Sequence, residues 1–392
     1  MLKKITPLLT LLLIISCSTT SPITTMSYEE LEIEGTYLSN KLDINIVEFD
    51  PGLSDNDDKS RELGVWPELR RAEARRFPVK LASSLNESNA FAAISVTTNA
   101  SYLSDIVITG KIIQSNGEDV HISITAIDST GNKIINKKIY KHRASEYFYQ
   151  NIRNKDLDPF DPIYRAIAAD LIIKLKARSL NEIELVTDLR FAKNLNEEYF
   201  YDSLEYSDNK YELGFIPSSN DPMFLRSQNV QLKDLAFRNE MQKYYINFSD
   251  DMDESYRIWQ QAALTASKSK REAEAQAAAR ALMGAILIAA VASSAGDDDY
   301  YDYDYGAIAA ATVGAGLLVS AVGNMQEAKV HEGTINEISQ SYDGEIAPKV
   351  VEMEGLQVKL EGNIEDQFNQ WQMVLGDIYE SESSQTKEFE IL

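Results

Sequence analysis

The chain contains a single cysteine, Cys17, among its 392 residues. A disulfide needs two cysteines, so no cross-link within the chain can hold the fold, and every folded unit must rest on a packed core. Cys17 follows a segment that starts with Lys3 and Lys4 and continues through the mostly apolar run 5–15 to Ser16. A positive start, a short apolar run and a small residue before the cleavage point are typical of a secretory signal peptide, and the run is too short to span a bilayer. We therefore expect a signal peptide over residues 1–16 and a mature chain that begins at Cys17.

The segment Ile14-Ile15-Ser16-Cys17 resembles the lipobox of bacterial lipoproteins. In that family the cysteine becomes the first mature residue and carries acyl chains, so the resemblance implies that Cys17 attaches the protein to membrane lipid. Ser18 follows the cysteine, where an aspartate tends to retain family members at the inner membrane. The resemblance therefore implies an outer-membrane lipoprotein on the periplasmic face. The alternative is an ordinary signal peptide with an incidental cysteine.

The composition is strongly acidic, since 61 Asp and Glu against 38 Lys and Arg give a net charge of −23. Nucleic-acid binding needs clustered positive charge, so this balance argues against it. It also argues against a loose electrostatic hold on anionic lipid headgroups. The length suggests two or three domains, and residues 17–40, which are Ser/Thr-rich and then acidic, are typical of a tether.

Residues 41–179 show the pattern of an α/β unit. A strand around 44–49 precedes a helix over 67–85, in which Pro78 predicts a kink or a restart. A short apolar stretch at 91–96 could form a second strand. Turn residues then separate three strands of an antiparallel meander, at 105–113, 120–127 and 133–140. The middle strand should have a packed face (Val120, Ile122, Ile124, Ala126) and a solvated one (His121, Ser123, Thr125), and Asp161-Pro162 starts a last helix.

This order of elements resembles the α/β domain shared by CsgG-type curli-export channel lipoproteins, the N-terminal domain of TolB proteins and LpoB-type activators of penicillin-binding proteins. Three stretches carry the resemblance: the opening 44–50, the stretch 105–110 and the Asp128-Ser129-Thr130-Gly131 turn. The resemblance is confined to this unit, and it implies a small mixed sheet with packed helices.

The remainder of the chain predicts mainly helices. Residues 180–221 are mixed in composition and favour helical pieces. Asp221-Pro222 marks the start of a helix, and no proline follows to about residue 295. This helix would be roughly 110 Å long if continuous, and we expect a break near 248–251. Residues 324–383 predict a helix, a β-hairpin and a helix with Phe368, Trp371, Leu375 and Ile378 on one face. This unit weakly resembles half of a BON domain, a periplasmic module associated with phospholipid surfaces, and ordinary packing of a helix on a hairpin is the alternative. Residues 384–392 should be a loose tail. We therefore expect an α+β fold.

Small residues recur at four-residue spacing within region 222–323, in two apolar stretches separated by an acidic tip. They are Ala281, Ala285, Ala289, Ser293, Gly306, Ala310 and Gly314, with Gly316 and Ser320 as a second pair. The pattern resembles the glycine-zipper helical hairpins of outer-membrane lipoproteins, in which small side chains let helix backbones approach in lipid. It implies insertion into the membrane or a homo-oligomer core. Both stretches, 281–295 and 306–322, are shorter than the roughly 20 residues of an ordinary membrane span, so a buried hairpin in a soluble domain stays an alternative.

No motif predicts a catalytic, cofactor or metal site. His121, His142 and His331 fall on different elements without metal-ligand spacing. The Asp/Tyr tip at 297–305 lacks the ligand spacing of an EF-hand, which favours a solvated cap. One cluster of cations stands out in the acidic chain, on the first helix: Arg70, Arg71, Arg75, Arg76 and Lys80. It could contact an acidic partner or lipid phosphate, or it could pair internally with Glu68, Glu73 and other acids, the interpretation that we favour.

We therefore expect a non-enzymatic outer-membrane lipoprotein that acts in cell-envelope assembly or export, with membrane lipid held through Cys17 and an envelope protein as partner. The small-residue hairpin would let it form a homo-oligomer. The alternative is a monomeric regulatory lipoprotein that activates a peptidoglycan synthase, as LpoB-type proteins do.

Overall fold

A computed structural model describes residue 38 and residues 40–62, 65–100, 103–154, 157–294, 349–353 and 356–389. The fold class is α+β, as the sequence predicts. The α-helices are α1 (Asp57–Glu62), α2 (Pro67–Glu87), α3 (Glu146–Gln150), α4 (Asp161–Leu175), α5 (Leu180–Leu195), α6 (Pro222–Ser294) and α7 (Ile364–Phe389). The strands are β1 (Ile44–Val47), β2 (Ile94–Thr97), β3 (Ile106–Ser115), β4 (Asp119–Asp128), β5 (Lys133–Arg143), β6 (Leu204–Ser207), β7 (Lys210–Leu213), β8 (Lys349–Met353) and β9 (Leu356–Leu360).

A mixed sheet of five strands, in the order β2-β1-β3-β4-β5, forms the centre of the fold. Strand β1 runs parallel to β2 and β3, so that Ile44 pairs with both Ile94 and Ile106, and β3, β4 and β5 form an antiparallel meander. Helices α2 and α4 cover one face of this sheet. The side chains of β4 that face these helices are fully buried, namely Val120, Ile122, Ile124 and Ala126. The predicted division of β4 into a packed and a solvated face is thus confirmed.

Helix α2 continues through Pro78, so the restart that was one of the two predicted outcomes does not occur. Proline has no N–H, so the carbonyl of Ala74, one turn earlier, loses its usual helical donor. The N–H of Phe49, just after β1, donates to this carbonyl at 2.8 Å. This hydrogen bond therefore ties α2 to the end of β1. The buried Phe49 ring also lies where it would collide with any side chain at Gly110.

Helix α6 is continuous over 73 residues, so the predicted long helix is confirmed and the predicted break at 248–251 is wrong. Asp221 caps it, because the N–H groups of Met223 and Phe224 donate to Asp221 Oδ1 at 2.9 and 3.0 Å. Buried apolar side chains run along the first half of α6 at spacings of three and four residues, namely Phe237, Met241, Tyr245, Phe248, Met252 and Tyr256. The buried stripe passes through 248–252, which is why the polar residues there do not interrupt the helix.

The region 180–221 contains helix α5, as predicted, and the β6–β7 hairpin, which the sequence reading missed. Asp208 and Asn209 connect the two strands with positive φ angles of 51° and 60°. Asp and Asn tolerate this left-handed conformation, which suits the two-residue turns that join twisted strands. Backbone N–H of Tyr211 donates to the carbonyl of Thr130 at 2.9 Å, so the hairpin is fixed to the β4–β5 turn.

The C-terminal region forms the predicted β8–β9 hairpin and helix α7, which packs on α6. The rings of Phe237 and Trp371 stack with centroids 4.6 Å apart, and Trp371 Nε1 donates to the buried Asp234 at 3.0 Å. Helix α7 extends to Phe389, so the loose tail predicted from residue 384 is helical through most of its length. The C-terminal helix is therefore part of the main body rather than a separate module.

Candidate functional site

The five cations of α2 that formed the predicted partner patch are engaged within the chain. Arg71 pairs with Asp57 at 2.7 Å, Arg75 with Glu48 at 3.5 Å, and Lys80 with Asp253 at 3.1 Å. Arg70 is buried and lies 3.1 Å from Glu73. The geometry fits the alternative of internal pairing.

Arg76 is the centre of this pairing, with only 3% of its side chain exposed. Its guanidinium donates to Asp158 at 2.8 Å, to the carbonyl of Ser249 at 3.0 Å and to Asp253. It also lies 4.8 Å from the centroid of the Tyr256 ring. Burial lowers the pKa of Arg76, but the charges of Asp158 and Asp253 outweigh it, so that the pKa lies above its ordinary value. Arg76 therefore joins α2, α6 and the segment before α4.

Glu73 lies fully buried one turn from Arg76 in the same joint. Ser115 Oγ and Tyr256 Oη both donate to its Oε1, the latter at 2.7 Å. Burial raises the pKa of Glu73, and the neighbouring Arg70 opposes this shift only in part. A cleft of about 600 Å³ lies beside the joint, between Arg76, Lys80, Asp158 and Asp253. Arg76 and Lys80, which line this cleft, are already paired with Asp158 and Asp253, so we assign the cluster a structural role.

A further group of exposed cations lies on the central sheet, on the side opposite α2 and α4. Most side chains on this side of β3, β4 and β5 are exposed or partly buried. We call this side the open sheet face. The strand register and the irregularities at Ile113 and Lys137 place these residues on it: Val107, Thr109, Lys111, Ile113, Asp119, His121, Ser123, Thr125, Ile127, Lys133, Lys137, Ile139, Lys141 and Arg143.

Cations and apolar side chains are mixed on the open sheet face. Arg143 holds Asp119 through two hydrogen bonds of 2.6 and 3.0 Å, and Lys111 pairs with Asp50 at 2.7 Å. The other three lysines, Lys133, Lys137 and Lys141, are exposed and have no ion-pair partner among the described residues. Ile113 and Ile139 are 48% and 50% exposed. The face therefore presents unpaired positive charge beside apolar surface in a chain of net charge −23.

Strand β5 is the edge of the sheet and carries most of these cations. Lys137 interrupts its pairing with β4 at a positive φ of 46°, and its N–H donates to Thr125 Oγ1 at 3.2 Å. Bulges and lysines are common protections of an edge strand against pairing with another strand. We therefore expect a ligand to use the side chains of the open sheet face rather than to extend the sheet at β5.

His121 lies close to two cations of the open sheet face, Lys141 and Arg143. It pairs across the strands with Lys141 and is one residue pair from Arg143. Partial burial lowers the pKa of His121, and the charges of Lys141 and Arg143 lower it further, while Asp119 opposes them. The imidazole is therefore neutral at pH 7.

His142 faces away from His121, and its Nε2–H donates to the carbonyl of Pro159, 2.9 Å away. Burial lowers the pKa of His142. His331 lies outside the described residues. Among the described residues, no cluster of His, Cys, Asp or Glu has a geometry that could hold a metal ion.

Two predicted features, Cys17 and the small-residue hairpin, lie wholly or partly outside the described residues. Cys17, Gly306, Ala310, Gly314, Gly316, Ser320 and the Asp/Tyr tip are not among the described residues. Ala281, Ala285, Ala289 and Ser293 belong to α6, where only the backbone is described. In the part of the chain that the structure covers, no helix combines the length and apolarity of a membrane span.

Comparisons of the chain with protein-family models, with curated proteins and with solved structures found no match.

The sequence pattern drew attention only to the cations of α2, which are close together along the chain and for which internal pairing was the favoured interpretation. Those of α2 lie close to carboxylates that are distant along the chain, which no local pattern reveals. The basic residues of β5 are spaced by strand periodicity, with Lys133, Lys137, Lys141 and Arg143 at odd positions. Combined with the alternation already evident in β4, that spacing was the signal that could have identified the open sheet face.

Proposed function

We propose that this protein is a lipid-anchored, non-enzymatic component of a cell-envelope assembly or export complex, held at the periplasmic face of the outer membrane. The observation that carries the proposal is the only cysteine of the chain, Cys17, placed directly after Ser16 at the end of a signal-peptide pattern. A cysteine with no possible disulfide partner in its own chain, at the one position where lipoproteins are acylated, favours an anchor.

The charged groups of the body support a docking role. The buried ion pairs around Arg76 and Glu73 join helices to one another, and Ser115 of β3 also binds Glu73. Three lysines without ion-pair partners among the described residues lie on the open sheet face, beside the exposed Ile113 and Ile139. Positive charge next to apolar surface suits an acidic protein partner, because charge steers the encounter and the apolar side chains add contact area.

Acylation of Cys17 is the first test. The chain is expressed in a Gram-negative host with radiolabelled palmitate, and the mature N-terminus is identified by mass spectrometry. We expect an acylated Cys17 and label in the outer-membrane fraction. The variant Cys17→Ser should lose the label, whereas the control Ser18→Thr should keep it. An unmodified Cys17 in an otherwise processed chain would contradict the proposal.

The docking role is tested by crosslinking in intact cells, followed by extraction in detergent. We expect a complex that contains an acidic envelope protein or further copies of the chain, and that is weakened by Lys133→Glu with Lys141→Glu. A monomer that crosslinks only to a peptidoglycan synthase would instead support the regulatory alternative.

A further inference from the structure

We propose that the open sheet face binds the Asp/Tyr tip, residues 297–305, of a second copy of this chain. The inference rests on the docking role proposed above and names the occupant of the face. It would link copies through a contact between the sheet of one and the tip of the next.

Charge complementarity is the first argument. The tip carries five aspartates in eight positions, at 297, 298, 299, 302 and 304, with no cation among them. The open sheet face carries Lys133, Lys137 and Lys141 without ion-pair partners in the described part of the chain. Each lysine could therefore bind a carboxylate without breaking an existing ion pair, which lowers the cost of docking.

Apolar and aromatic complementarity is the second argument. The aspartates of the tip are interleaved with four tyrosines, at 300, 301, 303 and 305. Ile113 and Ile139 are each about half exposed on the open sheet face and lie among lysines. A tyrosine ring can cover an isoleucine side chain, bind an ammonium group over its π-face and keep its hydroxyl in water.

The geometry of α6 favours a second copy over the same chain. The turn at Gly117, next to the open sheet face, lies against Gln260 and Leu264 of α6. The helix then continues to Ser294, about 45 Å beyond Leu264 if straight. From Ser294 to Asp304 the chain spans at most about 34 Å when fully extended. The tip therefore cannot reach back to the Gly117 turn of its own chain, whereas the open sheet face of a second copy is accessible to it.

The net charge of −23 argues against an anionic membrane as the occupant. Approach of the face to anionic lipid would bring the acidic body and Asp50, Asp119 and Glu118 toward a surface of the same sign. A short acidic segment avoids most of this repulsion, because it presents its charges only to the lysines of the face.

The test uses the full chain in detergent and reverses the charges of each side in turn. One variant carries Lys133→Glu with Lys141→Glu, and the other carries Asp298→Lys, Asp299→Lys, Asp302→Lys and Asp304→Lys. We expect each to self-associate at least tenfold more weakly than the wild type by sedimentation, and an equimolar mixture of the two to recover association. The matched control, Lys176→Glu with Lys243→Glu, changes two exposed lysines away from the face and should behave as the wild type.

Several outcomes would overturn the proposal. Wild-type association by the face-reversed chain, with an unchanged urea midpoint that confirms its fold, excludes the face. Failure of the mixture to recover, while both reversals in one polypeptide do recover, indicates contact within one chain. Face-dependent binding to phosphatidylglycerol vesicles identifies lipid as the occupant. If only crosslinks to another envelope protein depend on the lysines, the proposed function stands and this occupant is wrong.

Discussion

The side chain of Gln242 pairs with the backbone of Val96 as a neighbouring strand would. The N–H of Val96 donates to Gln242 Oε1 at 2.7 Å, and Gln242 Nε2 donates to the carbonyl of Val96 at 3.1 Å. Val96 lies in β2, the edge of the sheet opposite β5. Helix α6 therefore closes this edge with a single amide group, which supplies one donor and one acceptor in the right order.

Replacement of Gln242 by leucine should leave both backbone groups of Val96 without their partners. We expect a loss of about 1–3 kcal/mol in the free energy of unfolding, the usual cost of unpaired buried polar groups. Urea unfolding measures it, and hydrogen exchange at the amide of Val96 should accelerate. Gln261→Leu, at an exposed position on the same helix, is the control. Equal stabilities of the two variants would show that Gln242 does not support the edge.

Asp158 and Asp57 offer a comparison between a buried and an exposed arginine partner. The Arg76–Asp158 pair has side chains only 3% and 5% exposed, whereas those of Arg71 and Asp57 are 46% and 37% exposed. Asp158→Ala leaves the Arg76 charge partly uncompensated in the interior, with Asp253 remaining, and should cost about 3 kcal/mol. Asp57→Ala should cost less than about 1 kcal/mol.

Urea unfolding of both variants at pH 7 checks this comparison. Similar losses would mean that the buried pair contributes no more than a surface pair, and the joint assigned to Arg76 would then need revision. The double variant Arg76→Met with Asp158→Leu removes both charges. It should be more stable than Asp158→Ala alone, because no unpaired charge remains buried.

Periodicity predicted the central sheet because its determinants are local. Alternation in β4 fixed which residues pack, and turn residues fixed the meander, so Val120 and Ile122 were placed correctly from sequence alone. The Asp221-Pro222 start and the absence of a later proline likewise predicted α6, although the run 248–251 suggested a break. The apolar stripe through Phe248 and Met252 is buried by packing against other elements of the fold, and such tertiary partners cannot be identified from one sequence.

The partners of Arg76 could not be predicted, because they lie far from it along the chain. Arg76 meets Asp158 and Asp253 across 82 and 177 residues. Nothing in the α2 sequence indicates which of 61 acidic residues will be near, and burial of a guanidinium at 3% exposure depends on three separate elements. The open sheet face was not predicted from the sequence, for a related reason. Its cations become neighbours of Ile113 only once β3 and β5 are in register with β4.

His121 should titrate below pH 6.5, its ordinary value, because burial and the charges of Lys141 and Arg143 disfavour the protonated ring. Removal of one charge by Lys141→Gln should raise its midpoint, whereas Lys176→Gln, away from the face, should leave it unchanged. Proton NMR of the ring resonances measures both. A midpoint that does not respond to Lys141→Gln would contradict the register of the open sheet face.

Asp105, buried at the start of β3, should make the protein less stable as the pH rises from 4 to 7. Burial raises its pKa to about 6 from 3.8, and the nearby Asp43 and Asp188 contribute, although Thr187 Oγ1 and the N–H of Asp43 donate to it. A group whose pKa is higher in the folded than in the unfolded state stabilises the fold fully below pH 3.8. That contribution is lost as the pH passes through 6.

Asp105→Asn removes this titration and keeps the shape of the side chain. Its amide oxygen can accept from Asp43, and its amide N–H can donate to Thr187 Oγ1, whose hydroxyl already lies 3.0 Å from the carbonyl of Ile183. The stability of Asp105→Asn relative to the wild type should therefore rise by about 2 kcal/mol between pH 4 and pH 7.5, because the pKa of Asp105 lies about two units higher in the folded than in the unfolded state. Thr187→Val removes a donor that favours the ionised carboxylate, so it should move the wild-type loss to higher pH. Urea unfolding across this range measures both, and a difference between Asp105→Asn and the wild type that does not vary with pH would mean that Asp105 titrates normally.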